Sequence, residues 1–251
     1  MIVLLTATVT PQVDSNLQLV DPESRREQYR HAVRQWAELC TQTKMRLILV
    51  ENSGEDLTKL VESAIGRVPP SVRLLESANP PLSLASRGKG ATEGLMVDQA
   101  VASLKNEADD ELLFKCTGRL FVKNFQRTLG RTDVLNRQVY ADIPRSMFDW
   151  LDSRYFGASM SIWRNELRGV GSTSDDSRGV NFEHELARVI NQASAAPDIR
   201  VRNFREKPWI VGQSGTTGTM YGDGRLISLK LGLRRPLDRL RRRIDSEYVG
   251  H

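Results

Sequence analysis

Arg87-Gly-Lys-Gly-Ala-Thr-Glu-Gly-Leu-Met-Val-Asp-Gln-Ala-Val101, followed by Glu111-Leu-Leu-Phe-Lys-Cys-Thr-Gly-Arg-Leu-Phe121, decides how this chain is read. The first stretch is a glycine-rich loop that runs into a helix; the second is a buried strand ending in a polar turn. Gly88 and Gly90 let backbone approach an anion, Lys89 adds charge, and a helix starting there turns unpaired N–H groups and a positive dipole end toward it. The next strand delivers Lys115, Thr117 and Arg119 to the same rim, where open α/β sheets hold their ligands. That order suits a phosphate-bearing ligand, a nucleotide or nucleotide-sugar. The plain alternative for the same glycines is a tight strand-to-helix connection.

Working outward, strands and helices alternate. Met1 to Leu5 is an apolar strand giving way to Thr6. Asp21-Pro22 starts a helix, with Asp as cap and Pro at the first position, and Tyr29, Val33, Trp36 and Cys40 follow at helical spacing. Met45 to Val50 reads as a buried strand, Leu57 to Ile65 as a helix and Val72 to Leu75 as a short strand. Such alternation predicts an α/β fold with a mostly parallel sheet flanked by helices. Beyond Lys123 the pattern loosens. Val139 to Asp142 reads as a strand, Asp152 to Ile162 as a turn entering another, Asn165 to Val170 as a short helix and Ser172 to Gly179 as a polar loop. A helix opens with Glu183-His184-Glu185, and the Gly- and Thr-rich segment Ile210 to Tyr221 reads as a mobile binding loop.

The length of 251 residues accommodates one domain over residues 1–224 and a basic tail over 225–251. No apolar run approaches the roughly 20 residues of a membrane-spanning helix. The opening lacks the basic leader of a signal peptide, and two cysteines, Cys40 and Cys116, suit a reducing cytoplasm. Of the net charge of +5, residues 225–243 hold +7, leaving −2 for the rest of the chain. That distribution, without a reading helix or zinc spacing, argues against a nucleic-acid partner. In the tail Leu237, Leu240 and Ile244 lie opposite Arg239, Arg241, Arg242 and Arg243. A helix of this kind either lies on an anionic membrane, here the inner face of the cell membrane through residues 225–244, or packs on its own domain.

Taken in order, these segments resemble glycosyltransferases of the GT-A fold, a Rossmann-related architecture, over most of the chain. Leu47-Ile-Leu-Val-Glu-Asn-Ser-Gly54 matches the family's second strand with its nucleotide-contacting acid, and Gly88-Lys-Gly-Ala matches its helix start. Leu112-Leu-Phe-Lys-Cys-Thr-Gly-Arg119 stands where the family carries a metal-binding Asp-x-Asp. Gly157-Ala-Ser-Met-Ser-Ile-Trp-Arg164 matches a later strand, and Asn181-Phe-Glu-His-Glu-Leu-Ala-Arg188 an acidic pair at a helix start. The resemblance implies transfer of a sugar from a nucleotide-sugar donor to a hydroxyl on a surface glycan or lipid-linked acceptor.

It further implies nucleotide and phosphate contacts from Thr6, Glu51, Asn52, Lys89, Gly90, Lys115, Thr117 and Arg119. The implied acceptor-activating base is Glu183 or His184, and the sugar and acceptor contacts are Asp152, Arg154, Ser214, Gly215, Thr216 and Thr217. The chain departs from the family where Lys115-Cys-Thr-Gly-Arg119 has no carboxylate for a hard divalent cation. The expectation is therefore no metal cofactor, with Lys115 and Arg119 acting as fixed positive charges on the departing phosphate. The rival readings are a sugar nucleotidyltransferase, which shares the sheet and the glycine-rich loop, a basic nucleic-acid-binding protein, and an inactive scaffold of the same fold.

Overall fold

The computed structural model describes residues 1–11, 18–129, 137–143 and 149–222, so the expected tail helix and its membrane contact lie outside the described residues. In chain order the elements are β1 (Ile2–Ala7), α1 (Pro22–Thr43), β2 (Arg46–Glu51), α2 (Leu57–Ile65), β3 (Val72–Glu76), α3 (Leu82–Ala85), α4 (Lys89–Ala102) and β4 (Leu112–Thr117). There follow β5 (Leu120–Val122), α5 (Phe125–Thr128), β6 (Gln138–Ala141), β7 (Tyr155–Ser159), α6 (Met160–Asn165), α7 (Val170–Thr173), α8 (Phe182–Ala193), β8 (Arg200–Asn203), β9 (Ile210–Gln213) and β10 (Met220–Tyr221).

Seven strands form one sheet in the order β3-β2-β1-β4-β7-β6-β8, in which only β7 runs against the others. This is the mostly parallel α/β sheet that the alternation predicts. Residue alternation along β1 divides the core. Val3, Leu5 and Ala7 pack with Tyr29, Val33 and Trp36 of α1 and Leu57, Leu60 and Val61 of α2. Ile2 and Leu4 face Met96, Val97 and Ala100 of α4, Ile162 and Trp163 of α6, and Leu186 and Ile190 of α8. Because both faces are covered, the central strands are apolar without polar alternation.

Local signals set the helix ends. The Asp21 carboxylate accepts from the Ser24 N–H at 2.7 Å, and Asp56 caps α2 by accepting from the Lys59 N–H at 3.0 Å. Cys40 and Cys116 are buried, and burial pushes each thiol up to about 12, which makes them packing groups rather than nucleophiles.

Several elements differ from the sequence reading; Ser172–Gly179, read as a polar loop, carries the end of α7 and a 3-10 turn at Asp176–Arg178. The expected helix at Asn165–Val170 is instead a turn between α6 and α7, and the strand before it stops at Ser159, where α6 begins. Ile210–Tyr221 is a hairpin, not a free loop: β9 pairs with β10 and with β5 in a small second sheet. Short strands of mixed polarity leave too little periodicity to be read, and their existence depends on the partner strand.

Candidate functional site

The carboxyl ends of β1, β2 and β4 stand side by side, with Thr6 opposite both Val50 and Thr117 and Ala7 opposite Glu51. Helix α4 begins above this rim. Gly88 adopts φ 104°, a left-handed value that favours glycine. A Cβ there would meet the Asp176 carboxylate at 2.3 Å, and a Cβ on Gly90 would meet Phe182 at 2.9 Å. One turn on, a Cβ on Gly94 would lie 2.3 Å from the Cα of Gly171. The Gly90 N–H points at Asp176 at 3.4 Å, and the Asp176 N–H donates to the Arg87 carbonyl at 2.7 Å. The space beside Gly88 and Gly90 is thus occupied by Asp176 and Phe182. These glycines let the segment entering α8 dock on α4, and a protein carboxylate stands at the helix start where the sequence reading sets a phosphate.

Lys115 also lies apart from that reading. It is 0% exposed, and its ammonium sits 2.6 Å from Glu93 Oε1 on α4 and donates to the Ser153 carbonyl. Thr6 donates its hydroxyl to the same Glu93 oxygen at 2.7 Å, and the Ser153 hydroxyl donates to Glu183 at 2.6 Å. Thr6, Glu93, Lys115, Ser153 and Glu183 therefore form one chain of contacts beneath the rim. Burial is the largest influence on Glu93 and pushes its carboxyl up; the Lys115 charge and hydrogen bonds from Lys115 and Thr6 together outweigh it, holding the carboxyl below its ordinary value. A lysine at a strand position that faces a packed helix needs a counter-charge in the interior. Glu93 was hidden in the sequence among ordinary helical residues.

Above the rim the cations are different. Arg119 donates to the Gln28 side chain and the Gln213 carbonyl at 3.3 Å each, stands 6.0 Å from the centre of the Tyr29 ring, and keeps a buried Nε that has no partner among the described residues. Behind it Arg25, which is buried, donates to the carbonyls of Thr8 and Leu19. Its guanidinium is held below its ordinary value, first by burial, with the Arg119 charge adding to it. Neither arginine has a carboxylate contact among the described residues. Lys89 is exposed, and its ammonium lies 2.7 Å from the Thr216 hydroxyl. Gly215 lies against the Arg119 guanidinium, so close that a Cβ there would meet Nη2 at 2.3 Å. The fold thus joins Lys89, Arg119, Gly215 and Thr216, which sequence spacing leaves far apart. Ser214 is buried; its hydroxyl accepts from the Thr217 N–H at 3.1 Å, and Thr217 itself is exposed on the turn.

Glu51 and Asn52 hold the β1 and β2 ends together. Glu51 is 2% exposed, and its carboxylate accepts from the backbone of Val9, Ser53 and Glu55 at 2.8 to 3.1 Å. Asn52 accepts from the Thr8 hydroxyl at 2.7 Å. Glu51 is therefore directed into its own turn rather than toward a base or ribose, because backbone N–H groups buried at the turn need an acceptor.

On the far side of β4, Arg154 pairs with Asp152 through Nε at 2.8 Å and Nη2 at 2.6 Å, and its carbonyl accepts from the Thr117 N–H at 2.9 Å. The Asp152 pair raises the Arg154 guanidinium above its ordinary value. Glu183 points inward to Ser153, whereas His184 is exposed and packs edge-on against Trp150 at 5.0 Å.

A divalent cation does not fit the matched strand end. Lys115 to Arg119 offers no carboxylate, Asp152 is engaged by Arg154, and among the described residues no three His, Cys, Asp or Glu side chains converge.

No family profile matches the sequence, and no curated protein does. Solved structures do match. The galactosyltransferase LgtC in complex with donor and acceptor sugar analogues is 10% identical, with 82% of this chain aligned to 74% of that chain at a TM-score of 0.51. An active-site mutant of LgtC matches over the same shares at 9% identity and a TM-score of 0.50. The inositol-1-phosphate CTP transferase of T. maritima aligns over 92% of this chain and 94% of its own at 11% identity and a TM-score of 0.49. The chain shares the GT-A fold of these LgtC structures.

Proposed function

We propose that this chain transfers a sugar from a nucleotide-sugar donor to a hydroxyl of a glycan or lipid-linked acceptor, with fixed side-chain cations in place of a metal ion. One observation carries the reading: two neighbouring guanidinium groups above the rim that no carboxylate touches among the described residues. The Arg119 charge disfavours the Arg25 guanidinium, which Glu51 offsets only from a distance, and among the described residues the Arg119 Nε has no acceptor. A bound phosphate relieves both conditions, and charge-assisted bonds to guanidinium are the strong ones. Lys89, Arg119 and the Gly215–Thr216 turn then hold the donor phosphates and stabilise the charge that develops on the departing group. Glu183 takes the proton of the acceptor hydroxyl, oriented by Ser153. Asp152, Arg154 and Ser214 to Thr217 supply sugar and acceptor contacts. Anchorage at the cytoplasmic membrane face through residues 225–244 would bring a lipid-linked acceptor within reach.

Calorimetric titration of nucleotides and nucleotide-sugars in EDTA and in magnesium tests this. A nucleotide-sugar should bind with similar affinity in both, and product should form in EDTA. Binding that requires the metal overturns the cation reading. Condensation of a nucleoside triphosphate with a sugar phosphate assigns nucleotidyl transfer instead.

A further inference from the structure

A cleft of about 310 Å³ opens between the loop entering β7 and the β9–β10 hairpin. Asp142, Asp152, Arg154 and Lys207 stand on its walls with the rings of Trp209 and Tyr221. The charges balance locally: Arg154 forks onto Asp152, and the Lys207 ammonium lies 3.5 Å from Asp142. Each ring has a cation beside it, Arg154 at 4.7 Å from the Tyr221 centre and Lys123 at 5.2 Å from that of Trp209. A lining with two carboxylate acceptors, two cationic donors and aromatic surface, whose own charges balance, suits a ligand with many hydroxyls and an apolar C–H face. The volume is at the small end of ligand pockets, which begin at about 300 Å³. An anion would confront both carboxylates here, whereas Arg119 above the rim has none in contact among the described residues.

We propose that this cleft binds a neutral pyranose, the first ring of the acceptor glycan, with Tyr221 and Asp142 as contacts beyond Asp152 and Arg154. The word acceptor rests on the transferase reading; the binding of a neutral sugar does not. The placement agrees with the chemistry. Ser153, between Asp152 and Arg154, bonds its hydroxyl to Glu183, and Arg154 receives the Thr117 N–H at the end of β4. A sugar in the cleft thus lies beside the loop that joins the candidate base to the donor rim.

Saturation-transfer NMR on the full chain, with lactose, cellobiose and chitobiose as neutral probes and N-acetylneuraminic acid as the acidic one, tests the assignment. At least one neutral disaccharide should bind, at least fivefold more tightly than the acid. Tyr221→Ala and Asp142→Asn should each weaken it at least fivefold while leaving nucleotide affinity unchanged. If Tyr221→Ala does not fold, Asp142→Asn decides alone. Unchanged sugar affinity in the folded variants, preference for the acid, or displacement of the sugar by nucleotide overturns the proposal. Nucleotide binding with no disaccharide binding removes the cleft alone; disaccharide binding with no nucleotide binding supports the cleft and removes the transferase reading.

Discussion

Lys115 and Lys89 are both lysines at the sheet rim, yet one lies beneath it and the other above. Lys115 has no exposure and is held by Glu93 and Ser153; Lys89 is exposed, and among the described residues its ammonium bonds the Thr216 hydroxyl. The difference teaches that position along a strand or helix does not decide what a cation does. Burial does: an interior ammonium requires a carboxylate, whereas a solvated one stays available for a ligand. Breaking the Glu93–Lys115 pair should therefore affect folding, and breaking the upper set should affect binding.

The largest expected effect is on stability. Glu93→Gln leaves the Lys115 ammonium buried without its counter-charge and should cost about 3 kcal/mol, seen as a lower Tm. The double variant with Lys115→Met should recover much of that loss, because a neutral pair needs no counter-ion. The Glu93 carboxyl is held below its ordinary value of 4.5, so its contribution is full above that pH and lost as pH falls through the lowered value. The Tm gap between wild type and Glu93→Gln should therefore be constant near neutrality and narrow in acid. A gap that widens in acid would contradict the pairing.

Next in size, Glu183→Gln should lower kcat about 100-fold with little change in Tm, since the amide oxygen can accept the same Ser153 bond. An equal fall in Tm would make Glu183 a structural member of the lower network only. Arg119→Ala should weaken nucleotide-sugar binding about tenfold, roughly 1.4 kcal/mol, while shifting stability far less than Glu93→Gln does. If the order of the two effects is reversed, the division between the upper and lower sets fails. The smallest effect is expected at His184→Ala, within about threefold in kcat, because an exposed imidazole packed on Trp150 contacts none of the groups beneath the rim.

The outline of the fold was legible because its signals are local. Continuous apolar runs marked β1, β2 and β4, and Asp21-Pro22 marked α1. The weakly patterned half beyond Lys123 was less so: β5, β9 and β10 are defined by one another rather than by their own residues. At the site, spacing drew attention to Lys89, Arg119, Thr216 and Glu183. It missed Glu93, Arg25 and Asp176, whose roles come from distant contacts, and it directed Glu51 outward where the turn draws it in.

By itself the sequence determined the alternating elements, the apolar two-faced sheet and the cation-bearing strand end, since periodicity and capping act within a few residues. Only the tertiary structure decided which glycines receive Asp176 and Phe182, which lysine is neutralised, and which cations meet the β9–β10 turn. Those outcomes depend on what packs against each side chain across the fold, and burial, which sets the energy of a charge, has no local signature.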